Sequence, residues 1–302
     1  MSGLRSSSLI AVIAAVAACA MSLPARAGYV ITSFDVPGAT ETSAYGINNA
    51  GTVVGYYADE TGAYRGFSRT AAGVYTILHC PGAANTLASA INNVGTIVGT
   101  GTDADYNALD GFSFSGGTYT SLNGNPTWPN GINDAGTIVG DAIYSPGMEI
   151  DACGINNAGV IVGIYIDDSG IHGHSLTGTT YTLLDYPGAI MTNAYGINNH
   201  GDIVGTYVAY VDDSYLQHGF VLSGGAYSTL NLDSFGDSGA FARGINDGGM
   251  ISGTYRDAEG LSHGFLATPI PEPAPVPEPV TILGVFAGCA GLGSYLRKRR
   301  LA

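Results

Sequence analysis

Between residues 28 and 268 the chain alternates short apolar runs with polar, glycine-containing turns, a pattern that predicts strands joined by tight turns. One decapeptide organises it. Gly46-Ile47-Asn48-Asn49-Ala50-Gly51-Thr52-Val53-Val54-Gly55 recurs at Ile91 to Gly99, Gly131 to Gly140, Gly154 to Gly163, Gly196 to Gly205 and Gly244 to Gly253. Each copy reads as a β-hairpin: an apolar residue enters, an Asn-Asn or Asn-Asp pair turns, and glycine leaves in the left-handed conformation that only it adopts cheaply. The first Asn can bond the backbone two residues on and fix the turn, a structural reason for that amide to recur.

Counted from the Ile of each copy, the spacings are 44, 41, 23, 42 and 48 residues, most of them the length of a four-stranded propeller blade. In the first repeat the strands are expected at 44–48, 52–57, 64–69 and 74–78. The third strand carries Gly66-Phe67, Gly111-Phe112, Gly219-Phe220 and Gly264-Phe265, with His174 after Gly173, and the aromatic is expected between blades. The fourth strand alternates as Tyr75-Thr76-Ile77-Leu78 does, which suits a half-buried pleated surface. The last repeat ends after its third strand, whereas Tyr29 to Ala39 aligns with an orphan fourth strand and its exit turn. Pairing one with the other would close a ring and remove both edges. The 23-residue interval lacks third and fourth strands. The expectation is an all-β propeller of five to six blades, one reduced to a hairpin, closed by the N-terminal strand.

Composition changes the picture at the two ends. Leu9 to Ala20 is an apolar run behind Arg5, followed by Ala25-Arg26-Ala27, so residues 1–27 read as a secretory signal cleaved after Ala27, with Ala25 and Ala27 as its small residues. Val16-Ala17-Ala18-Cys19 is a looser match to a lipidation site. Residues 269–279 are proline-rich and extended, a spacer. Residues 280–296 carry no charge and are long enough for a short membrane span, and Arg297, Lys298, Arg299 and Arg300 would hold the tail, 297–302, in the cytoplasm. All 24 carboxylates lie between Gly28 and Pro279, with only Arg65, Arg69, Arg243 and Arg256 against them, a net of −20. Such a domain repels nucleic acid and anionic lipid. Cys80 and Cys153 are the two cysteines outside the terminal apolar segments; they have no metal-ligand spacing, and a disulfide between them is an alternative to two free thiols.

The motif GIN(N/D)xGxIVG, with a following HGF and a period near 43, resembles the HAF family of bacterial extracellular repeats over roughly residues 28–267. That family is defined by pattern and implies no reaction. Arg65 and Asp110 stand where the motif has His218 and His263, which argues against a shared catalytic or metal-binding histidine. The order Pro277-Glu278-Pro279, apolar segment, basic cluster, chain end resembles the PEP-CTERM sorting signal. The resemblance implies recognition by an exosortase in a Gram-negative bacterium that makes exopolysaccharide, with signal peptidase acting first, the inner membrane as a transient station, and the cell surface or exterior as destination.

No catalytic constellation is visible. Gly236-Asp237-Ser238-Gly239 matches a serine-protease nucleophile sequence but has no His and Asp segments to go with it. His172, His174, His218 and His263 recur in third strands, where a blade-stabilising hydrogen bond is the plain reading and metal ligation the other. Asp59-Glu60, Asp103 with Asp105, Asp167-Asp168, Asp212-Asp213, and Asp257 with Glu259 stand in the second-to-third turns, where calcium is the one cofactor they could hold, though solvated turns are Asp-rich anyway. The expected function is a non-enzymatic, exosortase-sorted binding or scaffold module associated with extracellular polysaccharide. The alternative is a hydrolase or lyase on such polysaccharide, which would need carboxylates from different blades to converge on the central channel.

Overall fold

The computed structural model describes residues 28–141, 143–145, 148–211, 213–232 and 239–271, and every element in them is a strand. The repeats are laid out as units around one axis. Unit 1 holds Glu41–Ile47, Val53–Ala58, Tyr64–Arg69 and Tyr75–Leu78; unit 2 holds Asn85–Ile91, Ile97–Thr102, Ala108–Ser115 and Thr118–Ser121. Unit 3 is the hairpin Pro129–Ile132 with Ile138–Gly140. Unit 4 holds Met148–Ile155, Ile161–Asp167, Gly170–Thr177 and Thr180–Leu184, with Ile143–Ser145 added beside its inner strand. Unit 5 holds Met191–Ile197, Ile203–Val211, Ser214–Ser223 and Ala226–Leu230, and one parallel pairing, Ile171 with Met191, joins it to unit 4. Unit 6 holds Ala240–Ile245, Ile251–Arg256 and Ser262–Pro269, and its outer strand is Tyr29–Phe34 from the start of the described chain. That strand runs antiparallel to the last, from Tyr29 opposite Pro269 to Phe34 opposite Gly264, which is the closure the sequence predicts.

The turn chemistry is as read. Gly51, Gly95, Gly136, Gly159, Gly201 and Gly249 have φ between 73° and 86°, and the Asn48 Oδ1 accepts from the backbone of Ala50 and Thr52. The glycines one residue before the Ile have a different reason, close approach of neighbouring inner strands. A Cβ on Gly46 would stand 2.8 Å from Ala90 Cα, and one on Gly244 2.6 Å from Tyr45 O. Buried aromatics fill the space between units. Phe67 packs with Ala44 and Val53 of its own unit and with Phe34, Met250 and Leu266 of unit 6, and each such ring contributes about 1.5–3 kcal/mol of burial.

Three expectations need correcting or placing. Inner strands begin earlier than the apolar pattern implies, at Glu41 rather than Ala44, because Thr42 is buried and its hydroxyl accepts the Val36 N–H, so a polar residue does core work. Cys80 and Cys153 are both free, the first in the turn leading into unit 2 and the second on the axis, so no disulfide links them. The signal segment with Ala25 and Ala27, Cys19, the Pro277, Glu278 and Pro279 motif, residues 280–296 and the cluster Arg297, Lys298, Arg299 and Arg300 lie outside the described residues, as do Gly236, Asp237, Ser238 and Asp212.

Candidate functional site

The repeated motif stacks its residues in levels down the axis. At the turn end lie two closed rings of hydrogen bonds. In the first, the buried amide of each motif donates to the next backbone carbonyl: Asn48 to Asn92, Asn92 to Asn133, Asn133 to Asn156, Asn156 to Asn198, Asn198 to Asn246, and Asn246 back to Asn48, at 3.0–3.3 Å. In the second, each following residue donates its backbone N–H to the next Oδ1, through Asn49, Asn93, Asp134, Asn157, Asn199 and Asp247, at 2.7–2.9 Å. Asp134 also accepts from the side-chain amides of Asn93 and Asn157, and Asp247 from those of Asn49 and Asn199. Burial works to raise both carboxyls, but these amides prevail and hold them below the usual range.

Above the rings, Ile47, Ile91, Ile132, Ile155, Ile197 and Ile245 form an apolar belt that lines both the polar mouth and the cavity beyond it. That cavity, about 290 Å³, is where the repeats stop resembling one another. Two residues before each Ile the chain presents Tyr45, Ser89, Asn130, Cys153, Tyr195 and Arg243, all lining one space. The Arg243 guanidinium carbon lies 4.1 Å from the ring centre of Tyr195 in the preceding unit and 4.9 Å from that of Tyr45 in the following one, with Phe241 at 5.1 Å. Burial disfavours its charge, the Tyr45 and Tyr195 phenols favour it, and the balance lies above the ordinary arginine value. Its Nε is buried with no hydrogen-bond partner, and no ion pair reaches it among the described residues. Arg243 keeps some exposure and lines this cavity as well as a second, smaller one beside it that Glu41, Tyr64 and Arg256 also line.

The other polar groups at this level are engaged. Ser89 Oγ bonds the carbonyls of Val98 and Pro129. Asn130 donates to Asp151 at 3.4 Å and to Ala152 O at 3.3 Å. Burial, then the charge of Asp151, pushes the Cys153 thiol up, so it stays protonated and is a poor nucleophile. Burial, then Glu149 and Asp141, pushes the Asp151 carboxyl up, and it is the one carboxylate among the described residues lining this cavity.

The residues singled out from sequence fall elsewhere. His263 bridges Asp35 (Nδ1, 2.9 Å) and Asp257 (Nε2, 3.0 Å), and His172 contacts Asp185 (2.9 Å) and Ser169, so these histidines tie the second-to-third turn to the outer strand. Arg65 holds the same turn in unit 1, reaching from Asp59 at 3.1 Å to the Ala84 carbonyl in the turn that leads into unit 2. His174 is buried at the Phe position and His218 packs beside Tyr207. The aspartates of the acidic turns cap them: Oδ1 of Asp59 accepts from Thr61 and Ala63, that of Asp103 from Asp105 and Asn107, that of Asp167 from Ser169, that of Asp257 from Glu259 and Leu261. Among the described residues no cluster of three such side chains has the arrangement of a metal site. For the alternative of a polysaccharide hydrolase, two acids from different units, Asp134 and Asp247, do line the polar mouth, but both are depressed by amide bonds, the opposite of what a general acid needs.

Sequence reasoning passed over Arg243 and its level because it aligned the repeats on what they share. The signal was one residue upstream of the shared Gly-Ile, or of Ala90-Ile91, where six near-copies carry Tyr, Ser, Asn, Cys, Tyr and Arg.

No family model and no curated protein matches the sequence. Among solved structures the chain is similar to a mutant of the Aleuria aurantia lectin AAL in complex with Fucalpha1-6GlcNAc, with 11% identity, a TM-score of 0.40, and coverage of 79% of this chain and 100% of that one. Nothing about this chain's ligand follows from that likeness.

Proposed function

We propose that this protein is an exported, non-enzymatic binding module whose ligand site is the axial cavity, carried to the cell surface or exterior by its terminal signals. The observation that carries the reading is the contrast between levels: the rings and the belt repeat one chemistry around the axis, while the level of Arg243 holds unlike side chains around a cavity. Shared residues build the ring, and a position relieved of that duty is where recognition can be written. Export and sorting rest on the termini: the segment ending at Ala27, the Pro277-Glu278-Pro279 motif, the apolar stretch 280–296 and the cluster Arg297 to Arg300. The order of events is then signal peptidase, a transient stay in the inner membrane, cleavage near Glu278 by an exosortase, and release among extracellular polysaccharide.

Binding without turnover is the test. The purified protein is applied to a glycan array and, in parallel, incubated with the polysaccharides it retains while reducing ends are counted. Retention that is lost in Tyr195→Ala, with no new reducing ends, is the expected result. Release of reducing ends, abolished by Asp151→Asn, would replace this reading with the hydrolase.

A further inference from the structure

We infer that the axial cavity is a carboxylate site, in which the N–H edge of Arg243 takes the acid group of a small ligand or of one uronic-acid residue of a glycan; this rests on the binding reading above. A guanidinium carries five donors in a rigid plane. Tyr195 and Tyr45 flank that plane and favour its charge, but a ring face accepts no ordinary N–H bond, so the flanking leaves the donors unmet. A buried arginine without a counter-ion is costly, and an arginine kept on the axis in that state is set for a ligand that supplies one.

The surroundings narrow the anion. Arg243 is the single cation lining the cavity among the described residues, Ser89 and Asn130 are committed to the protein's own carbonyls and carboxylate, and burial pushes the Asp151 carboxyl toward its neutral form, so one negative charge is matched and two are not. With 24 carboxylates against four arginines around it, the domain repels polyanions. A planar, singly charged carboxylate fits the fork two-pronged where a phosphate dianion would lack its second cation. The volume, about 290 Å³, lies at the small end of ligand sites.

Calorimetry on the full chain with acetate, D-glucuronate, D-glucose and inorganic phosphate tests this. Glucuronate should bind at least about ten-fold more tightly than glucose, the difference vanishing in Arg243→Gln, with phosphate failing to compete. Acetate binding as well as glucuronate would place the specificity in the acid group alone, whereas glucuronate alone would extend it to the sugar ring. Equal binding of glucose and glucuronate, no binding of either acid at millimolar concentration, or a preference for phosphate would overturn the inference. A second variant does not depend on Arg243 being replaceable: Cys153→Asp puts a carboxylate within electrostatic reach of Arg243. It should abolish glucuronate binding in protein that a thermal melt shows to be folded; glucuronate binding retained in the folded variant would overturn the inference. Neutral-glycan retention that depends on Tyr195 and survives Cys153→Asp would sink the carboxylate site while leaving the binding function standing.

Discussion

His174 stands where units 1, 2, 5 and 6 place Phe67, Phe112, Phe220 and Phe265, and it is buried with no partner for Nδ1. An unmet polar atom of that kind costs about 1–3 kcal/mol, so His174→Phe should raise Tm by several degrees in thermal unfolding. Burial also depresses its pKa, so stability is present above the unfolded value of about 6.5 and is lost as pH falls through the folded value. His263 behaves oppositely. Burial would lower its pKa, but the hydrogen bonds it donates to Asp35 and Asp257 outweigh that and raise it, so its contribution is full below about 6.5 and is lost as pH rises through the folded value. Tm should therefore decline on both sides of that pH, with His263→Gln flattening the alkaline side and His174→Phe the acid side. Because His263 and its carboxylates are partly solvated, the alkaline loss should stay within about 1 kcal/mol, or 2–4 °C. The bridging role of His263 was legible from its place beside the Asp257 turn, whereas the role of Arg243 was not: beyond Phe241, its ring contacts come from residues 45 and 195, in the neighbouring units.

For the elements, the hairpin motif does two jobs with one side chain: its amide oxygen caps the turn and its amide nitrogen holds the next unit. Asn92→Asp separates them, keeping the acceptor for the Thr96 N–H and removing the donor to the Asn133 carbonyl. It should cost about 1–3 kcal/mol, seen as a lower Tm, and no change would mean that the inter-unit bond contributes nothing. The closing strand is the larger test. Besides pairing with Ser262–Pro269, it brings Phe34 edge-on to Phe67 at 6.4 Å and under Arg69 at 4.8 Å. Removing residues 28–36 should lower Tm by at least about 6 °C and promote aggregation through the bared edge, measured by calorimetry and light scattering. Closure could be foreseen because a missing fourth strand and an orphan one are complementary facts about a single chain. The donation from each Asn to its neighbour could not, because strand periodicity describes a unit and says nothing of the separation between units.

At the scale of the molecule, three of the four arginines of the domain are not spread as a counter-charge: Arg65 is tied to Asp59, Arg69 lies on Phe34 and Tyr75, and Arg243 is on the axis. The acidic surface is left largely uncompensated, which disfavours contact with anionic headgroups. The proposed orientation in the membrane follows from the same asymmetry of charge, acidic domain on one side of the apolar stretch and Arg297 to Arg300 on the other, and the proposed sorting step rests on the resemblance of this end to the PEP-CTERM signal. In a host with an exosortase, Glu278→Ala should leave a longer, inner-membrane-bound form detectable by fractionation and intact mass. Wild-type protein recovered intact through Ala302 in that host would favour a plain membrane anchor.

The polar mouth holds one further consequence, for unit 3. Around it the order is Asn, Asn, Asp, Asn, Asn, Asp, so every asparagine amide has an aspartate on one side and each aspartate serves two amides. A ring without the hairpin that carries Asp134 would set the amides of Asn93 and Asn157 side by side, each with no carboxylate to accept it, whereas the loss of an asparagine hairpin would still leave every amide beside an aspartate. That is a reason for unit 3 to be pared to Pro129–Ile132 and Ile138–Gly140 without being dispensed with: its outer strands are spare, but its Asp134 serves two neighbours.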